Sequence, residues 1–262
     1  MSIQKTNRIV SAFLRRKQEG SATRIIYVTS GYPDLSTTSK TILGLEKNGV
    51  DIIEIGFPFS DPMADGPVIQ QTTASSLAKG YVTDDHFDNI RKVRKKTNVA
   101  LAIMTYVNIV YGYGTEKFIK RAADAGVDGL IIPDLPLEEA GSFRKLCEQY
   151  GIVTVLFASS TSSEMRLKKM VKAASGFIYV VSQPGVTGKK LEIRKDLTGL
   201  SAKLRNITDI PLAVGFGIET KADVQMLSRY FDGVIIGSAF LKRIVSDKGK
   251  TGKALQFVKD VF

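Results

Sequence analysis

Short apolar runs rich in β-branched residues alternate with longer amphipathic stretches from one end of the chain to the other. The runs predict strands at Ile25–Thr29, Asp51–Ile55, Val99–Ile103, Gly129–Ile132, Val153–Phe157, Phe177–Val181, Pro211–Val214 and Gly233–Ile236. They are nearly continuous in apolar residues, the pattern of parallel strands buried on both faces. The stretches between them predict helices at Leu35–Lys47, Ile69–Lys79, Asp84–Lys95, Glu116–Ala125, Leu137–Tyr150, Ser163–Ala174, Lys195–Asn206, Lys221–Tyr230 and Ala254–Val261. Eight strand–helix units in about 250 residues predict a closed (β/α)8 barrel, a TIM-barrel architecture of the α/β class. Ahead of the first strand, Ile9, Val10, Phe13 and Leu14 stand at helical spacing. They predict an N-terminal amphipathic helix capping the barrel. An open doubly wound sheet is the competing architecture. Its glycine fingerprint is missing, because Thr29-Ser30-Gly31-Tyr32-Pro33 follows the first strand.

No linker or low-complexity segment interrupts the pattern, so residues 1–262 are expected to form one domain. Asn48-Gly49-Val50-Asp51 and Ala125-Gly126-Val127-Asp128 repeat one another, with a looser echo at Phe231-Asp232-Gly233-Val234. Each ends a helix and opens a strand, which is loop chemistry with no functional message.

Composition narrows the function classes. No apolar run approaches the roughly 20 residues of a membrane span, and the polar N-terminus does not read as a signal peptide. The single cysteine, Cys147, excludes an internal disulfide, suits a cytoplasmic location and reads as a buried structural residue. The single histidine, His86, opens a polar helix and is expected to be exposed, which argues against histidine catalysis and a multi-histidine metal site. The net charge of +11 is spread over most predicted helices without a nucleic-acid motif. Solvated helix faces explain it, so no nucleic-acid partner is expected; a mild attraction for a phosphorylated substrate is a secondary effect.

The chemistry concentrates in Glu54–Gln70. Glu54 stands inside the apolar run Ile52-Ile53-Glu54-Ile55, where a carboxylate is costly unless paired or functional. A loop stiffened by Pro58, Pro62 and Pro67 follows and brings Asp61 and Asp65. Two acids held at the end of a buried strand suit general acid–base work. The plainer alternatives are a Glu54 satisfied by backbone donors and aspartates that brace turns. The other strand ends add Tyr106-Val107-Asn108 and Tyr179. Gly215-Phe216-Gly217 and Gly237-Ser238, after the seventh and eighth predicted strands, predict a phosphate site built from backbone amides and a helix starting near Ser238. Ser182–Asp196 reads as a lid that brings Thr187 and Gly188 to the substrate, or as a plain surface loop.

Glu54, the block Pro58-Phe59-Ser60-Asp61-Pro62, then Ala64-Asp65-Gly66-Pro67 and Ile69-Gln70 are followed by Tyr106 and Asn108. Pro133-Asp134-Leu135-Pro136, Gly185-Val186-Thr187-Gly188, Gly215-Phe216-Gly217-Ile218 and Gly237-Ser238 complete the series. In that order, over nearly the whole chain, the sequence resembles the tryptophan synthase alpha chain family. Departures fall at Gln183-Pro184 and Phe177. The resemblance implies a lyase that splits indole-3-glycerol phosphate into indole and glyceraldehyde 3-phosphate by retro-aldol chemistry. It implies Glu54 as the acid–base residue, Asp65 as the partner of the indole N–H, and Tyr179 beside the substrate, with no metal or cofactor in this chain. It further implies a beta-chain partner that holds pyridoxal phosphate, in an alpha2-beta2 heterotetramer. Pro58, Asp61, Asn108 and Pro136 would form the rim where that partner docks. A stand-alone lyase releasing free indole is the alternative within the same chemistry; a sugar-phosphate isomerase on the same barrel and a silent activating subunit fit the acidic loop less well.

Overall fold

The computed structural model describes residues 7–181, 190–215 and 217–262. The chain runs α1 (Arg8–Gln18), β1 (Thr23–Thr29), α2 (Leu35–Lys47), β2 (Ile52–Gly56), α3 (Pro67–Leu77), α4 (Thr83–Arg94) and β3 (Ala100–Met104). It continues through α5 (Val107–Tyr113), α6 (Thr115–Ala125), β4 (Gly129–Ile131), α7 (Gly141–Gln149), β5 (Val153–Ser159), α8 (Glu164–Ala173) and β6 (Ile178–Val181). Then come α9 (Lys190–Arg205), β7 (Leu212–Val214), α10 (Lys221–Leu227), β8 (Gly233–Ile236), α11 (Ser238–Ser246) and α12 (Gly252–Val261). Each strand pairs in parallel with the next, and β8 returns to β1, so the predicted barrel closes.

Alternate residues of each strand serve two cores, which is why the runs are apolar throughout. Ile26, Val28, Ile53, Ile55, Leu101 and Ile103 pack outward against the helices. Ile25, Ile52, Ala100, Ile131, Val155 and Ile235 fill the lumen. Helix α1 closes the floor of that lumen. Asn7 caps it by accepting the Ile9 N–H, and Ile9, Ala12 and Phe13 are buried. Phe13 lies 5.3 Å from Phe177. Leu14, expected on the apolar face, is half exposed, and Ala12 takes its place.

The repeated loops have a shared structural task. Asp51, Asp128 and Asp232 each stand just before an even-numbered strand and accept a backbone N–H from the start of the preceding strand. The donors are Arg24 at 2.8 Å, Leu101 at 2.9 Å and Leu212 at 2.7 Å. Ser175 does the same for Thr154 before β6, at 2.9 Å. Asp51 also pairs with Arg15 and Arg16, and Asp128 with Arg8, so two of these loops clasp α1 to the floor.

Three expectations are corrected. The loop expected to run to Asp196 ends earlier, since α9 begins at Lys190; its first part, residues 182–189, lies outside the described residues. Helix α5 occupies Val107–Tyr113, where the sequence suggested only a loop. His86 is buried, not exposed: its Nδ1 lies 2.7 Å from the Ser30 hydroxyl and its ring 5.2 Å from Phe57. Burial pushes its pKa down to about 4, so it is a neutral core residue. Cys147 is fully buried as expected, with its thiol pushed up to about 12.

Candidate active site

Strand parity puts Ile52, Glu54 and Gly56 on the lumen side of β2, so Glu54 points into the barrel one layer above the apolar floor. Its register partners are Tyr27 of β1 and Ala102 of β3. Glu54 is fully buried, and neither carboxylate oxygen has a hydrogen-bond partner among the described residues. The backbone-satisfied reading therefore fails. Burial alone raises its pKa to about 8, so at neutral pH it is mostly the neutral acid.

Asp65 reaches the same mouth from the loop after β2. Its N–H donates to the Pro62 carbonyl at 3.1 Å, and its carbonyl accepts from the Gln70 side chain at 2.9 Å. Burial raises its carboxyl to about 6 against the hydrogen bond from Tyr106, which lowers it. Above that pH it is an anion. The same Tyr106 oxygen accepts the Ala64 N–H at 3.0 Å, and Phe59 stacks on the Tyr106 ring at 5.2 Å. Tyr106 thus ties the loop to β3 and holds the Asp65 carboxylate.

Two tyrosines line the lumen near Glu54. Tyr179 stacks on Phe157 at 4.9 Å. Gly215 explains itself here, because a Cβ at that position would stand 2.4 Å from the Tyr179 hydroxyl. Tyr27 is its counterpart: a Cβ on Gly56 would stand 1.9 Å from the Tyr27 hydroxyl. Both phenols are pushed well above their ordinary range, by burial first. Sequence reading passed over Tyr27 and gave Tyr106 no role. The signal for Tyr27 was its parity, two residues before Thr29 on the lumen side of β1. A loop contact such as that of Tyr106 has no sequence signal of its own.

The expected phosphate residues divide into two groups. Thr187, Gly188 and Phe216 lie outside the described residues. Gly217 is exposed after β7 with φ +55°, and nothing stands within 4 Å of where its Cβ would be. Gly237 precedes α11 without a side-chain cap, and Ser238 begins that helix, leaving the first amides and the positive helix end directed at the mouth. Gly215, by contrast, makes room for a tyrosine. On the rim, Asp61, Asn108 and Pro136 are exposed, as the docking expectation requires. Pro58 is buried and Phe59 is packed on Tyr106, so neither offers itself to a partner; the loop needs them inward to hold Asp65. Exposure shifts instead to Met63, at 85%. Among the described residues no cluster suits a metal ion, and no helix is long and apolar enough to cross a membrane.

Comparison with known proteins places this geometry. The family model described as the tryptophan synthase alpha chain matches residues 13–260. The chain is similar to the tryptophan synthase alpha chain of Alkaliphilus metalliredigens, 40% identical over 259 residues, covering 98% of this chain and 97% of the relative. Among solved structures, tryptophan synthase from M. tuberculosis in its aminoacrylate-bound form aligns with a TM-score of 0.88 at 28% identity, covering 98% of each chain. The tryptophan synthase complex from Pyrococcus furiosus aligns with a TM-score of 0.85 at 32% identity, covering 92% of this chain and 98% of that one.

Proposed function

The chain belongs to the tryptophan synthase alpha chain family, and from that premise we propose that it cleaves indole-3-glycerol phosphate to indole and glyceraldehyde 3-phosphate. The observation that supports this most directly is Glu54: a fully buried carboxyl without a protein partner, beside an anchored Asp65. The reaction needs one proton delivered to indole C3 and one removed from the adjacent chain hydroxyl. Neutral Glu54 gives its proton to C3. The carboxylate left behind takes the hydroxyl proton as the carbon–carbon bond breaks and the aldehyde forms, so one carboxyl serves both steps and is restored. Between them the ring is cationic. Asp65, ionised above about pH 6, accepts the ring N–H hydrogen bond, which strengthens as that charge develops. Acid–base catalysis of this kind contributes ~10²–10⁴-fold.

The phosphate end is assigned to Gly217, Gly237 and Ser238, with Thr187, Gly188 and Phe216 completing the cradle, and Tyr179 beside the reacting chain. The chemistry needs no cofactor in this chain. The reading includes a beta chain, which would hold pyridoxal phosphate, as the acceptor of indole; an alpha2-beta2 assembly; and a cytoplasmic location. The Pyrococcus furiosus neighbour is a complex, and the exposed rim of Asp61, Met63, Asn108 and Pro136 offers a place to dock. The test is to incubate the pure protein with indole-3-glycerol phosphate, alone and with a beta chain, and to measure indole and tryptophan. Wild type should release indole, and folded Glu54→Gln should be slower by ~10² or more. Near-normal turnover by that variant would remove Glu54 from the mechanism. Absence of any effect of the beta chain would favour the stand-alone lyase.

A further inference from the structure

Asp134 belongs to the Pro133-Asp134-Leu135-Pro136 block, and the proposed chemistry gives it no task. It stands in the turn after β4, where the Leu135 N–H donates to the Ile132 carbonyl at 3.3 Å. Its Oδ1 accepts the Val107 N–H at 2.9 Å. Val107 is the first residue of α5, a helix of seven residues, too short to hold by its own hydrogen bonds. The N-cap position favours Ser, Thr, Asp or Asn. Here it holds Tyr106, whose side chain makes no cap. The missing cap is Asp134, one strand over and 27 residues on from Val107.

The Tyr106 side chain is turned instead to the loop after β2. Its hydroxyl oxygen accepts the Ala64 N–H at 3.0 Å, and Phe59 stacks on its ring at 5.2 Å. Ala64 directly precedes Asp65. Both neighbours of Tyr106 are tied toward β4: the Thr105 N–H donates to the Ile131 carbonyl at 3.1 Å, and the Val107 N–H to Asp134. The first bond ends the strand ladder. The second is the only one of the two that depends on a side chain. We propose that Asp134 is a positioning residue for the cleavage: by capping α5 it fixes Tyr106, and through the Tyr106–Ala64 bond it holds Asp65 where the indole N–H meets it. This inference rests on the function proposed above. It makes the loops after β2, β3 and β4 one unit, of which the first carries the acid.

The test uses the full-length protein and indole-3-glycerol phosphate. Asp134→Ala should lower kcat ~10- to 100-fold, the scale on which an ångström of misplacement acts. KM should stay within about threefold, because the phosphate end is held elsewhere. With Tyr106 released, Asp65 loses the contact that lowers its pKa, so the rise of kcat/KM with pH should move above about pH 6. Asp134→Asn keeps an acceptor oxygen for the Val107 N–H and should recover kcat to within about threefold of wild type. Val107→Pro breaks the same bond from the donor side. Proline suits the first position of a helix, and the extended backbone of Tyr106, φ −97° and ψ 150°, suits a residue before proline. This variant should reproduce the loss and the shift, so a poorly folding Asp134→Ala does not end the test. Unchanged kcat in Asp134→Ala and Val107→Pro overturns the inference and leaves the lyase reading intact. So does an Asp134→Asn as slow as Asp134→Ala. A lost rate with an unmoved pH profile also overturns it, because the fall would not pass through Asp65. An inactive wild type overturns the lyase reading and the inference with it.

Discussion

Glu54, the proposed acid–base residue, is also a burden on the fold. Its carboxyl titrates near pH 8 in the folded protein and near 4.5 when exposed. Between those values the folded chain holds a proton that the unfolded chain has released, so stability falls as pH rises through that window. Glu54→Gln removes the titration. Its stability relative to wild type should therefore climb from pH 5 to 8, by an amount on the order of a few kcal/mol, and then level off; denaturant melts at several pH values measure this. A constant difference would mean that the carboxyl is not held neutral by burial. Activity has its own window. The proposed mechanism uses an ionised Asp65, so kcat/KM should rise through about pH 6, and a Glu54 that begins protonated, so it should fall through about pH 8. A profile without the alkaline limb would separate Glu54 from the first proton transfer.

The barrel's elements are joined at the floor by acids and carry the proposed catalytic acids at the mouth, and the two sets differ in their partners. Asp51 and Asp128 are buried but matched by arginines and backbone N–H groups, whereas Glu54 is matched by nothing described. Removing one side of a buried pair leaves the other unpaired. Asp51→Ala takes the acceptor from the Arg24 N–H and one partner from the largely buried Arg16, which keeps Glu19 and the Gly49 carbonyl, so it should cost about 2–3 kcal/mol. Asp232→Ala, whose arginine partner is more exposed, should cost about 1–2 kcal/mol. Both should keep near wild-type turnover per folded molecule, since the clasps face away from the mouth. Chemical denaturation with an activity assay separates the two effects, and a large loss of turnover in folded Asp51→Ala would contradict this division.

At the scale of the molecule, the loop after β2 links the candidate active site to the outside. Pro58 and Phe59 point inward, Asp65 lines the site, and Asp61 and Met63 face solvent. A beta chain that presses on the exposed part would move the buried part through a stiff connection. Asp61→Ala should therefore leave basal indole release within about twofold and remove most of the stimulation by a beta chain, with a rough upper limit of 1 kcal/mol for a rim charge. Titrating the partner into each variant while following indole measures both quantities. Equal loss of basal and stimulated rates would place Asp61 at the substrate.

The sequence by itself determined the barrel, its floor helix and the placement of Glu54, because these follow from patterns along the chain. Strands buried on both faces read as apolar runs, helices as periodic stripes, and one acid inside such a run is visible against them. It also held the residues of the rigid loop. Only the tertiary structure decided the rest, for a physical reason common to each case. Whether His86 faces water or Phe57, whether Pro58 faces a partner or the core, and whether Gly215 serves a phosphate or makes room for Tyr179 depend on groups far away in the chain.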